Sequence, residues 1–582
     1  MQHAVSNVCS GILLAILGLV FPAVGRAQPQ TPSPPPNIIL VLTDDQGYGD
    51  IGLHGNDKIR TPHLDRFAGE GIEFTRFYVS PVCSPTRASL MTGRYYYRSG
   101  VIHTSRGAAK MHGEETTIAE LLKRAGYRTG IFGKWHLGDS FPMRPIDQGF
   151  DEALVHKSGG ITQGPDRPNS YFDPLLWENG KPVRRKGYCT DVFFDAALDF
   201  IWRNRARPFF AYIPTNAPHT PLEVADKDAA PYRAMGLDDT TARVYAMVEN
   251  IDQNFGRLIG KLDELDLRRN TIMIFLSDNG PQQERYTAGL RDRKTSVYEG
   301  GIRALSFWQW PGVVTGSRKT ATMAAHIDVA PTLAEIAGAA AAPGRAFDGR
   351  SLLPLLRGDP QPWPERALFF QVHRGLEPQR YRNAAVETNR YKLLLTPGAF
   401  NGEHIAIPSD PVTELYDLEN DPRETRNVIA RFPEIASELR KRYEAWFEDV
   451  KSSRQFTPGV IHLGSEAEPE VVLSRYQDAN YEDERPVGWS VNIEKAGRYE
   501  VEVRTGDDSW ESARSPAAAT LFVRLNQRRL ESPLRAGTTQ AVFELPAGKA
   551  MLDAWIQQKD QPRAILTDNT AVGDVRVRRL PD

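Results

Sequence analysis

Five stretches of this chain carry residue types that could do chemistry together. Asp44 and Asp45 close the apolar run of "NIILVLTDDQG" (37–47), and Asp278 and Asn279 close that of "NTIMIFLSDNGPQ" (270–282). Three carboxylates and an amide oxygen, with no adjacent histidine or thiolate, suit a hard cation such as calcium or magnesium. Either pair alone is also what an ordinary turn after a strand uses. Lys134 and His136 stand two apart in "GKWHLG"; on extended chain both would face one side and Trp135 the other. His219 follows the apolar run of "RPFFAYIPTNAPHTP", and Lys294 sits in the Gly-containing loop "RDRKTSVYEGGIR". A single His or Lys on a loop is usually only solvated, so these residues gain weight as a set.

A sixth stretch, "VCSPTRASLMTG" (82–93), is of another kind. Pro85 fits the first turn of a helix, where no N–H is needed, and Gly93 ends it. Cys83 then lies at a helix N-terminus, where free N–H groups favour an anion. Its residue type leaves three readings open: a thiol at a helix end, one half of a bridge to Cys189, or a reactive group. The chain has three cysteines, of which Cys9 lies in the N-terminal segment 1–27, read below as a cleaved signal peptide. A disulfide framework is excluded, a single bridge is not.

The elements that must position these residues follow from apolar patterning. Buried strands at 37–43, 207–214 and 270–277 alternate with helices, and "TTIAELLKRAGYRTGIFGKWHLG" gives helix then strand. There Thr117 and Glu120 fit a capping box and Gly126 stops the helix. This is an α/β core with a large mixed, mostly parallel sheet, whose polar clusters fall at the carboxyl ends of the strands. From 366 to 454 short antiparallel strands and the amphipathic helix in "FPEIASELRKRYEAWFEDV" form a smaller subdomain. From 455 to 582 alternating strands read as an appended C-terminal β-sandwich. Residues 1–27 read as a signal peptide cleaved after Ala27, and 28–36 as a Pro-rich linker. The expected location is periplasmic or extracellular, with no stable membrane insertion after cleavage. A net charge of −2 argues against a general nucleic-acid binder.

In their order along the chain, "DDQGYGD", "CSPTR", "GKWHLG", "PHTP", "SDNG" and "KTSVYEGGIR" resemble the type I, formylglycine-dependent sulfatases of the alkaline-phosphatase-like superfamily. "TPHLDRFAGEGIEFTRFY", "HIDVAPTLAEIAG" and "ELYDLENDPRETRNV" extend the likeness across Asn37 to Val450. The resemblance implies that a maturation enzyme oxidises Cys83 to formylglycine (3-oxoalanine), which hydrates to a gem-diol. It implies one calcium ion, rather than magnesium, on Asp44, Asp45, Asp278, Asn279 and modified Cys83. Arg87 would steady the diol, and Lys134 and Lys294 would bind sulfate oxygens. His136 would be the base that expels sulfate, and His219 the proton donor to the leaving alcohol. With cation and sulfate present the site would carry a single positive charge, which favours charge developing on the leaving oxygen.

The expected function is hydrolysis of sulfate esters on a polysaccharide or oligosaccharide. Two alternatives stand beside it: a phosphonate or phosphate diester hydrolase of the same superfamily, and a non-catalytic sulfoglycan-binding protein. The stretch 156–174 is expected to line the cleft, with Arg98, His103 and Arg106 within reach. In the β-sandwich, Trp489, Trp510 and Trp555 are candidates for stacking on sugars, although aromatics in strands more often pack in a core.

Overall fold

The computed structural model describes residues 35–581 apart from 315, 360–361, 403–404, 409, 483–484, 505–514, 516–518 and 559–572. The expected signal peptide, most of the linker and Trp510 lie outside the described residues. The central sheet has ten strands. Its middle is four parallel neighbours in the order Thr271–Ser277, Asn37–Thr43, Phe209–Pro214 and Arg128–Lys134. Every residue of the first three is buried, which is why they read as unbroken apolar runs rather than alternating ones. Helices cover both faces. On one, Asp239–Glu264 and Cys189–Asn204 pack against Ile39, Val41, Phe275 and Phe307; on the other, Cys83–Thr92 joins a second core around Leu40, Trp308 and Leu333. The outer strands Ser306–Gln309 and Leu175–Glu178 run antiparallel to their inner neighbours, so the sheet is mixed but mostly parallel.

Local expectations are met at several places. Thr117 and Glu120 form the reciprocal capping box of the helix Ile118–Arg124, and Gly126 follows it at φ +89°. The helix Cys83–Thr92 ends at Gly93 in the left-handed conformation. One expectation fails. The strand carrying Lys134 stops there, and His136 has φ +62°, so the strand alternation assumed for the pair does not reach it. Cys83 and Cys189 are both free and buried, and Cys189, the first residue of its helix, packs in the core beneath the sheet.

A four-stranded antiparallel sheet follows (Leu368–Gln371, Ala384–Glu387, Tyr391–Leu395, Thr413–Asp417), then the helix Pro433–Arg454. The last stretch forms a six-stranded and a four-stranded sheet around a shared core of Trp489, Tyr499, Val523, Leu552 and Val577. Trp489 is thus a core residue rather than a sugar platform. Trp555 is half-buried and stacks on Phe522. These sheets are tied to the α/β core: Phe141 N–H donates to Glu468 (2.7 Å), Arg144 to the Ala467 carbonyl (3.1 Å), and Met143 enters the shared core.

Asp139 and Asp478 are both buried and interact across this junction. Burial first, then repulsion from Asp478, pushes Asp139 up to about 7, and burial pushes Asp478 up to about 6. A carboxyl raised in the fold contributes stability that is fully present below its ordinary pKa and is lost as pH rises through 6–7. Asp139→Asn keeps an acceptor for the Ser158 N–H, which Asp139 holds at 2.7 Å. It should therefore raise the Tm at pH 8 by about 2 °C or more and change it little at pH 5, read by thermal denaturation at both values.

Candidate active site

Four adjacent strands end at one place, and the residues after them converge. Asp44 and Asp45 follow Thr43, Asp278 and Asn279 follow Ser277, His219 lies five residues past Pro214, and Lys134 is the last residue of its strand. Gly133 makes the approach of the last two strands feasible: at φ +140°, a Cβ there would sit 1.8 Å from the Pro214 carbonyl oxygen. Asp45 takes the left-handed conformation (φ +63°), which turns its backbone N–H onto Asp278 Oδ1 at 3.2 Å.

Each carboxylate is held by a basic group. Lys134 Nζ donates to Asp44 Oδ2 and Lys294 Nζ to Asp45 Oδ1 (2.5 Å). Arg87 Nη2 donates to Asp278 Oδ2 at 2.8 Å, and its Nη1 to the Lys134 carbonyl at 2.9 Å. Asn279 Nδ2 donates to Asp45 Oδ1 at 2.7 Å. What remains is informative. Asp44 Oδ1, Asp45 Oδ2 and Asn279 Oδ1 are buried without a hydrogen-bond partner among the described residues. Oxygens of Asp44, Asp45 and Asp278 lie within 4.8 Å of one another, and Asp44, Cys83 and His219 form a second such group. Unpartnered buried acceptors of this kind are costly unless a cation takes them. The donor set therefore fits a hard divalent ion.

Despite burial, Lys294 and His219 hold the Asp45 carboxyl well below the usual carboxylate range. Burial and the Asp44 charge push Asp278 up to about 6, against the pull of Arg87. Cys83, the first residue of its helix and only 2% exposed, is pushed up to about 11 by burial, with Lys134 and Lys294 acting in the opposite sense.

The two histidines are set by carbonyls. His219 Nδ1 lies 2.6 Å from the Thr220 carbonyl and His136 Nε2 lies 2.8 Å from that of Thr104. A carbonyl only accepts, so those nitrogens carry the proton, leaving His219 Nε2 and His136 Nδ1 for proton exchange. His219 Nε2 is 3.9 Å from Asp45 Oδ2, and Tyr171 Oη anchors its loop by donating to the His219 carbonyl at 2.6 Å. Burial pushes His219 down to about 3 and His136 well below its ordinary value, so the bare site holds both neutral.

Cys83, His136, His219 and Lys294 open onto a cavity of about 300 Å³. Lys134 is fully buried behind it. Gly159 and Gln163 from the expected cleft stretch line it, as do Thr104, Arg374 and Tyr476. Those last three were not anticipated; they come from separate segments and follow no local pattern. The other anticipated cleft residues do not line it. Arg98 is paired with Asp348 and Asp449, His103 is buried, and Arg106 lies over the Tyr481 ring.

Two features of this geometry point to one class. Carboxylates gathered at the ends of parallel strands fit a cation, and a helix N-terminus beside them presents a residue able to carry a nucleophile. The class that combines them is the alkaline-phosphatase-like hydrolases. The Sulfatase family model matches residues 36–339, and a model described as N-sulphoglucosamine sulphohydrolase, C-terminal, matches 288–449. Arylsulfatase A of Homo sapiens is 33% identical over 490 residues, covering 74% of this chain and 91% of its own. N-acetylgalactosamine-6-sulfatase of Canis lupus familiaris is 36% identical over 372 residues, 58% of this chain and 69% of its own. The crystal structure of Ps i-CgsB in complex with k-i-k-neocarrahexaose superposes with a TM-score of 0.64 at 29% identity, covering 72% of this chain and 94% of that one. The chain belongs to the sulfatase family: it is a type I sulfatase, a sulfuric ester hydrolase.

A cation that binds the folded site alone stabilises the protein by about 2.7 kcal/mol at one hundred times its dissociation constant. Adding calcium or magnesium to chelator-stripped protein should therefore raise the Tm by about 2 °C or more. Asp45→Ala and Asn279→Ala should each remove most of that rise. An unchanged Tm with both cations would contradict the metal reading.

Proposed function

We propose that this protein is an exported glycan sulfatase that cleaves sulfate monoesters on a polysaccharide or oligosaccharide through a formylglycine made from Cys83. The observation that carries the reading is the position of Cys83. It is the first residue of a buried helix, beside unpartnered carboxylate oxygens, at a cavity that His136, His219 and Lys294 also line. As a plain thiol with a pKa near 11 it would be a poor nucleophile at neutral pH. As a hydrated aldehyde it would offer two hydroxyls, one to attack and one to expel the product. A glycan substrate is supported by the neocarrahexaose complex of Ps i-CgsB. Export is supported by the apolar run at 11–24 and the small-residue site at Ala27.

Asp44, Asp45, Asp278 and Asn279 would hold one calcium ion, which supplies Lewis-acid charge to the hydrated side chain and to a sulfate oxygen. Arg87, fixed between Asp278 and the Lys134 carbonyl, orients the diol. One diol hydroxyl gives up its proton to water and bonds to sulfur as the bond from sulfur to the sugar oxygen breaks. His219, which lines the cavity, takes up a proton on Nε2 as the negative charge of the incoming sulfate raises its proton affinity, and passes it to that oxygen. His136 Nδ1 then takes the proton of the second hydroxyl. Its electrons re-form the C=O bond as the C–O bond to sulfate breaks, and water restores the diol. Lys294 on the cavity wall, with Lys134 behind it, balances the anion.

The test measures sulfate release from a panel of sulfated oligosaccharides and an aryl sulfate. The protein used would have a Cys83 peptide about 18 Da lighter than the thiol form. Release should be abolished in Cys83→Ala and fall about 10²–10⁴-fold in His219→Gln and His136→Gln. Full conversion with no sulfate release, but turnover of phosphonate or phosphate diesters, would sink the sulfate-ester reading.

A further inference from the structure

Both family models end by residue 449, yet chain beyond that point reaches the active-site cavity. Between the strands Glu470–Leu473 and Asn480–Glu482, the turn Ser474–Asp478 leaves the C-terminal sheets, and its Tyr476 lines the cavity that Cys83 and His136 also line. The rest of the turn is buried and pinned on two sides. Towards its own sheets, Arg475 donates to Asp553 Oδ1 and to the Ala554 carbonyl, both at 2.8 Å, and lies 4.3 Å from the Trp489 ring centroid. Trp489 Nε1 in turn donates to the Ser474 carbonyl at 3.0 Å. Towards the core, the backbone N–H groups of Arg106 and Gly107 donate to the Tyr476 and Gln477 carbonyls at 3.0 and 2.9 Å, and Lys110 Nζ donates to the Asp478 carbonyl at 2.9 Å. Gly107, at φ +76°, allows this approach, since a Cβ there would lie 2.5 Å from Asn480 Oδ1.

Ser474, Arg475, Gln477 and Asp478 are buried, while Tyr476 is half-exposed. An aromatic side chain on a pinned backbone loses little freedom on contact, having only two soft torsions. Together with Phe400 it gives an apolar face to a cavity whose wall also carries the polar Thr104, Gln163 and Arg374. A pyranose matches that combination, with an apolar C–H face and polar hydroxyl or sulfate edges. We propose that Tyr476 is a substrate-contacting residue whose ring packs against a sugar ring of the sulfated saccharide, so that the C-terminal sheets complete the active site. This rests on the glycan sulfatase reading above.

A second contact dictates how to test it. Gln477 Nε2 donates at 3.3 Å to the Thr104 carbonyl that also fixes His136. Removing the whole turn would therefore disturb the chemistry as well as the sugar contact, and point variants are needed. The experiment uses full-length, matured protein as wild type, Tyr476→Ala and Tyr476→Phe. It measures kcat and KM for a sulfated oligosaccharide, kcat for an aryl sulfate, and inhibition of the latter by inorganic sulfate. In Tyr476→Ala the oligosaccharide kcat/KM should fall about 10- to 100-fold, mainly through KM. Aryl sulfate kcat and sulfate inhibition should stay within about threefold, and Tyr476→Phe should keep near wild-type values on both substrates. Equal losses on both substrates would assign Tyr476 to supporting the His136 loop, and no loss on either would remove it from the site; both overturn the proposal. Wild type active on the aryl sulfate but on no saccharide would overturn the glycan reading and this proposal with it. Wild type inactive on every sulfate ester would instead count against the hydrolytic assignment.

Discussion

Three carboxylates buried within a few ångströms of one another cannot share a site unless positive charge is supplied from fixed directions. In this protein that requirement is met by Arg87 from a helix, Lys134 from a strand end and Lys294 from a loop, each engaging one carboxylate. The pairing has a directional result. On Asp44 and Asp45 one oxygen is taken by a lysine and the other, like the Asn279 oxygen, is buried without a hydrogen-bond partner among the described residues. Basic groups therefore do two jobs: they offset repulsion and they aim the remaining oxygens. The raised Asp278 and lowered Asp45 carboxyls show how unevenly the compensation falls.

Most of the fold can be understood as the means of keeping this cluster in register. The four parallel strands that end at the site are neighbours in the sheet although far apart in sequence, so a short stagger between them fixes the carboxylates relative to one another. Left-handed backbone at Asp45, Gly133 and His136 then bends the chain over the sheet edge. Backbone carbonyls select the histidine tautomers, which leaves His136 Nδ1 and His219 Nε2 able to accept a proton.

Much of this was legible in the sequence because it is local. Apolar runs followed by Asp-Asp, Asp-Asn or His marked strand ends, and Pro85 with Gly93 bracketed the cysteine-bearing helix. Strand alternation misplaces His136 because the strand ends two residues before it, at Lys134. Arg98 and His103 were misassigned because a polar residue near a motif is as easily consumed by an ion pair or by burial. Trp489 was offered to solvent because its strand pattern does not reveal that Arg475 and a second sheet cover it. Arg374 and Tyr476 were missed for a different reason: each reaches the cavity from a separate segment, and only long-range packing brings them there.

The bonds from Arg106 and Gly107 to the turn at 476–477 bear on where this enzyme begins and ends as a working unit. A gene shortened after residue 449 would still match both family models along their full extents. Its product would nonetheless lack the hydrogen-bond acceptors that tether the Thr104 loop, and one wall of the cavity. The boundary drawn by shared ancestry and the boundary drawn by the working pocket thus fall at different places along the chain.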